Sequence, residues 1–117
     1  MRDLIQQERF EMAVLDSLNS AQFLRFLVFC GGTMLRLCHG LDRYSVDLDF
    51  WLAATAEGRR LFRRISSSLA KTYRIKDAAE KHYTYLLEIR SPRYPRSIKI
   101  EIRKESRSAP HGIRYRL

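Results

Sequence analysis

Gly31-Gly32-Thr33-Met34-Leu35-Arg36-Leu37, followed by Arg43-Tyr44-Ser45-Val46-Asp47-Leu48-Asp49-Phe50, is the stretch on which the fold turns. A glycine pair closes one apolar segment and opens a short helical one. The second half then alternates acidic and apolar residues. On a strand, successive side chains point to opposite faces, so Asp47 and Asp49 share one face while Leu48 and Phe50 enter the core. Aspartate is depleted in strands, and two carboxylates on one face repel each other. A divalent cation relieves that repulsion and can gather a nucleoside triphosphate beside the glycine turn. Spacing alone is equally compatible with a solvated pair on an edge strand.

Upstream, residues 22–30 are aromatic and branched and predict a mostly buried strand. Residues 33–39 have helical spacing, with Thr33 as the cap and Gly40 as the stop. A strand, a glycine turn and a helix N-terminus together expose backbone N–H groups that suit a phosphate, although a Gly-Gly pair alone is also an ordinary tight turn. Residues 2–18 predict a helix with Leu4, Ile5, Met12, Leu15 and Leu18 near one face, there to cover a sheet or to pack on a partner.

Downstream, 46–52 is the acidic strand, and Ala54 to Tyr73 predicts a helix with an apolar stripe of Leu61, Phe62, Ile65 and Leu69. Arg59, Arg60, Arg63 and Arg64 lie on its other side, as a solvated face or an RNA-facing one. The period then shifts towards two, with strands expected at 73–78 and 83–89 and a proline-broken loop at 91–96. Residues 97–103 alternate cleanly. Ile98, Ile100 and Ile102 form the apolar face, and Lys99, Glu101 and Arg103 form the other. Glu101 is either a solvated residue or a third carboxylate beside Asp47 and Asp49. Residues 104–117 are basic and show no clear period.

The 117 residues predict one domain, long enough for a core without disulfides or structural metals. No apolar run approaches the roughly 20 residues of a membrane helix. The mixed polarity of the N-terminus is unlike a secretory signal, so cytoplasm is the expected compartment. Cys30 and Cys38 form no Cys-x-x-Cys pair and the histidines are scattered, which fits reduced thiols. The net charge of +9 is uneven: residues 1–89 carry 13 basic against 11 acidic groups, and residues 90–117 carry 9 against 2. A basic end of this kind attracts phosphates or simply aids solubility.

Taken together, Phe29-Cys30-Gly31-Gly32-Thr33-Met34-Leu35-Arg36-Leu37, Gly40 and Arg43 to Phe50 resemble the nucleotidyltransferase toxins of the AbiEii/AbiGii abortive-infection family. That family's pattern is a Gly-Gly-Thr turn, a short helix, then Arg-x-Ser-x-Asp-[Leu/Ile]-Asp-Phe. Ile98 to Ile102 resembles its later strand bearing a third acid. The resemblance implies an α+β, polymerase-beta-like nucleotidyltransferase fold: a short mixed sheet with helices packed on one side. It implies Asp47, Asp49 and Glu101 as catalytic and metal-binding residues. Gly31, Gly32, Thr33, Arg36, Arg43 and Ser45 are implied at the nucleotide. The implied cofactor is Mg²⁺ in a two-metal site, with Mn²⁺ as the alternative.

The implied activity is transfer of NMP from a nucleoside triphosphate to RNA, above all tRNA, by the toxin of a toxin–antitoxin pair. A protein acceptor, or a catalytically incomplete module that binds nucleotide, nucleic acid or antitoxin, is the competing expectation. Family members run on into a helical region that helps bind the nucleotide. Residues 1–117 therefore correspond to a single core domain without that region.

Overall fold

The computed structural model describes residues 2–30, 47–53 and 57–107. Helix α1 (Arg2–Ser20) buries Phe10, Val14, Leu15 and Leu18. The buried stripe is rotated from the expected one: Ile5 is exposed and Met12 only partly buried. The sequence pattern hides this stripe because two polar residues, Gln7 and Glu11, also lie on it. Gln7 is accommodated by donating from Nε2 to the Ser97 carbonyl, 3.1 Å away.

The expected strand at 22–30 is only half formed. After α1 the chain makes a helix-ending turn: Phe23 N–H donates to the Leu18 carbonyl (2.9 Å) and Gln22 N–H to the Asn19 carbonyl (2.9 Å). Gln22 sits in the left-handed region at φ 65°. This pattern closes helix C-termini by satisfying their last carbonyls. Leu24–Phe26 then form a 3₁₀ turn, and strand β1 is confined to Leu27–Cys30. Strand β2 is Asp47–Ala53.

Helix α2 is shorter than the expected 54–73, running Gly58–Leu69. Glu57 caps it by accepting from the Arg60 N–H at 2.8 Å. A turn with N–H bonds from Thr72 and Tyr73 to the Leu69 carbonyl ends it. Leu61, Ile65 and Leu69 are buried, as the stripe predicts, with Phe62 partly so. Strands β3 (Arg74–Glu80), β4 (Thr84–Arg90) and β5 (Ile98–Arg107) follow. β5 continues beyond the expected end at 103, and an irregularity in its pairing lets Leu52 and Ala53 pair with Ser106 and Arg107.

The five strands form one mixed sheet in the order β1-β2-β5-β4-β3. Only β2 and β5 run parallel; the other neighbours are antiparallel. The inward face carries Leu27, Phe29, Leu48, Phe50, Leu52, Tyr85, Leu87, Ile89, Ile98, Ile100 and Ile102, all in one cluster with the buried residues of α1 and α2. Both helices therefore cover the same face, and the architecture is the expected α+β one. The opposite face is left for Asp47, Asp49 and Glu101. Among the described residues no helix is long and apolar enough to cross a membrane.

Candidate active site

The carboxylates meet because of the parallel pairing. Its register sets Asp47 beside Lys99, Asp49 beside Glu101 and Trp51 beside Arg103. Paired residues of neighbouring strands project to the same face, so Glu101 joins the two aspartates. This placement sets Glu101, half-buried, on the face of the two aspartates. Directly beneath, Leu48, Phe50, Ile100 and Ile102 are fully buried, and Phe50 stacks on Phe29 with centroids 5.1 Å apart. That packing pins both strands and with them the acidic row.

The electrostatics differ along the row. Asp49 is pushed up to about 6, first by burial and then by the charges of Glu101 and Asp47. The Glu101 carboxyl is also close enough to Asp49 to favour its protonated form by hydrogen bonding. Asp47 is raised too, by burial, but the Lys99 ammonium opposes the shift. β5 thus sets a lysine, a glutamate and an arginine in sequence against the acids of β2. Among the described residues, no three His, Cys, Asp or Glu side chains converge as they stand on a single metal position. Asp49 and Glu101 are the converging pair, with Asp47 two residues along. The donor set is nonetheless chemically suited to a hard divalent cation: it is all oxygen, and the charges of Glu101 and Asp47 oppose the ionisation of Asp49.

On β4, Leu86 is the register partner of Glu101 and Glu88 that of Lys99. Glu88 is held low, chiefly by a hydrogen bond from the Ser97 hydroxyl, and is 3.7 Å from the Lys76 ammonium. In the sequence Lys99 is only one member of a polar face. Its place beside Asp47 depends on a register between strands separated by about half the chain. The charge alternation at 99, 101 and 103 is the one local signal of it. Gly31, Gly32, Thr33, Arg36, Arg43 and Ser45, the expected nucleotide-binding residues, lie outside the described residues, as does the expected helix at 33–39. Of the α2 arginines, Arg59 is committed to Glu80, with two contacts of 3.0 and 3.1 Å, and Arg64 lies over the Phe23 ring.

A mixed sheet with one helix-covered face and an acidic row on the other defines an α+β protein. Residues 13–115 match the family described as nucleotidyl transferase AbiEii toxin, type IV TA system. The chain belongs to this AbiEii family of nucleotidyltransferase toxins. Two solved structures have the same fold. One is a candidate nucleotidyltransferase from H. pylori, 23% identical, with a TM-score of 0.55, over 88% of this chain and 46% of that one. The other is JHP933 from Helicobacter pylori, also 23% identical with a TM-score of 0.55, over 88% of this chain and 44% of that one. The chain spans a little under half the length of each. No curated protein matches it.

Proposed function

We propose that this domain transfers a nucleoside monophosphate from a nucleoside triphosphate to the terminal hydroxyl of an RNA, with tRNA as the acceptor class. In this reaction the acceptor oxygen bonds to the α-phosphorus, the bond from that phosphorus to the bridging oxygen breaks, and pyrophosphate leaves. The observation that carries the reading is the pairing of Asp49 with Glu101, with Asp47 on the same face. Asp47, Asp49 and Glu101 would hold Mg²⁺, or Mn²⁺ in its place. When bound, the metal supplies charge neutralisation at the phosphates and lowers the pKa of a coordinated hydroxyl.

The chain's own groups do the rest. Glu101 carries the carboxylate that accepts the proton of the acceptor hydroxyl. Burial raises the pKa of Asp47, and the Lys99 ammonium beside it opposes that shift. The Gly31-Gly32-Thr33 turn, with Arg36, Arg43 and Ser45, orients the triphosphate in this reading. A cognate antitoxin is the partner that family membership suggests, and cytoplasm is the proposed compartment.

The test is label transfer. The protein is incubated with Mg²⁺, each α-labelled nucleotide in turn and total tRNA, beside Asp47→Ala and Asp49→Ala variants. Label on RNA that disappears in both variants supports the proposal. Label on protein moves the acceptor to a polypeptide. Nucleotide binding without transfer identifies a binding module instead.

A further inference from the structure

The end of β4, the loop after it and the start of β5 carry a run of cations, Arg90, Arg93, Arg96 and Lys99, and the fold brings Arg90, Arg96 and Lys99 to a cavity beside Asp47. A cavity of about 440 Å³ is lined by Asp47, Arg90, Pro95, Arg96, Ser97 and Lys99. Its acidic wall is thus the first carboxylate of the site, and the rest is predominantly basic.

The anions in this corner already have partners. Glu88 takes a hydrogen bond from Ser97 and lies near Lys76, while Lys99 acts on both Asp47 and Glu88. Arg90 donates only to the Pro95 carbonyl at 3.5 Å, and among the described residues neither Arg90 nor Arg96 forms an ion pair. Both are exposed. Two guanidinium groups beside a cavity suit phosphate oxygens, which they bind through paired N–H donors.

The loop is also held in place. Tyr94 stacks on Phe10 at 4.6 Å, Gln7 donates to the Ser97 carbonyl, and Ser91 accepts the N–H groups of Arg93 and Tyr94. A cation fixed before binding loses less conformational freedom on contact. Position then separates two sources of phosphate. β1 ends at Cys30, the register partner of Asp49, and the Gly31-Gly32-Thr33 segment assigned to the triphosphate in the proposed function follows it in sequence. The cavity lies on the other side of β2, against β5 and the end of β4.

We propose that Arg90 and Arg96 form an acceptor-strand site, holding backbone phosphates of a single-stranded RNA end whose terminal hydroxyl reaches Asp47 and Glu101. The direction of the strand rests on the nucleotidyl-transfer reading; the binding of RNA phosphates does not.

The test is fluorescence anisotropy with a 5′-labelled single-stranded RNA and with labelled tRNA, across a salt series. Binding of a fluorescent nucleoside triphosphate with Mg²⁺ is measured alongside. In Arg90→Ala/Arg96→Ala, RNA affinity should fall about tenfold. The slope of log affinity against log salt should shrink by about 1.4, at roughly 0.7 per lost single-strand phosphate contact. Triphosphate affinity and thermal stability should hold, and Arg90→Lys/Arg96→Lys should recover most of the slope. If RNA binding does not change, or is absent in the parent protein, the proposal is overturned. Loss of triphosphate binding with RNA binding intact overturns it in favour of a donor site. An equal loss in Arg63→Ala/Arg64→Ala, on the helix-covered side, reduces it to general charge attraction. RNA binding that depends on Arg90 and Arg96, with no label transferred by the parent protein, upholds this site while rejecting the transferase reading.

Discussion

Asp49 and Glu101 are register partners on the parallel strands β2 and β5, and the Glu101 charge raises the pKa of Asp49. When both are ionised the two carboxylates repel, and a proton or an added cation relieves that repulsion. Replacing one of them by its amide should therefore separate stability from function. Asp49→Asn should raise the stability of the metal-free protein at pH 7 by about 1 kcal/mol after discounting for solvent exposure, or roughly 4 °C. The same variant should lose the thermal shift given by Mg²⁺ and all label transfer. Thermal melts with and without Mg²⁺ check this, and a less stable variant would contradict a repulsive carboxyl pair.

The pH dependence follows from the same group. Asp49 titrates at about 6 in the folded protein, against 3.8 for the ordinary side chain. Between those values the native state binds more protons than the unfolded chain. This contribution to stability is therefore complete below about pH 4 and is lost as pH rises through about 6. Mg²⁺ binding needs the ionised carboxylates, so the stabilisation it gives should run the other way and fade below about pH 6. The wild-type melting temperature minus that of Asp49→Asn, measured from pH 4 to 8, isolates this contribution. A difference that rises with pH in the absence of metal would reverse its sign.

Phe50 follows Asp49 on β2, fully buried on the opposite face and stacked on Phe29. Phe50→Ala should cost about 3–5 kcal/mol, as large-to-small core changes do. Urea unfolding should show a lower midpoint with an unchanged slope. A cost under about 1 kcal/mol would mean that the sheet relaxes around the gap and that Phe50 does not hold the acidic row.

Gln22 ends α1 in the left-handed region, at φ 65°. A side chain there costs roughly 1–2 kcal/mol, and glycine's extra freedom in the unfolded chain returns about half of that. Its exposed contact with Arg25, 3.3 Å long, adds little. Gln22→Gly should stabilise the protein by about 0.5–1 kcal/mol, read as a higher urea midpoint. A destabilised variant would show that the amide contact outweighs backbone strain.

Local pattern decided a good deal of this protein. The alternation at 47–50 and 98–102 assigned two strands and their buried faces, because a period of two has one physical reading. The stripe of Leu61, Ile65 and Leu69 did the same for α2. Where local and tertiary demands part, the sequence misleads. Gln7 and Glu11 interrupt the stripe of α1, which hides Phe10 and Val14. The aromatic run at 22–26 has strand composition but is taken up by the turn that satisfies the last carbonyls of α1. Its neighbour Leu27 is where pairing begins. The site itself was half visible: spacing put Asp47 and Asp49 on one face, but left open whether they were solvated. Only the folded sheet set Glu101 against Asp49, Lys99 against Asp47, and Arg90 of β4 and Arg96 of the loop after it around a cavity ending on Asp47. Those relations join residues about 50 positions apart. They depend on the register of a parallel pair, which no local pattern encodes.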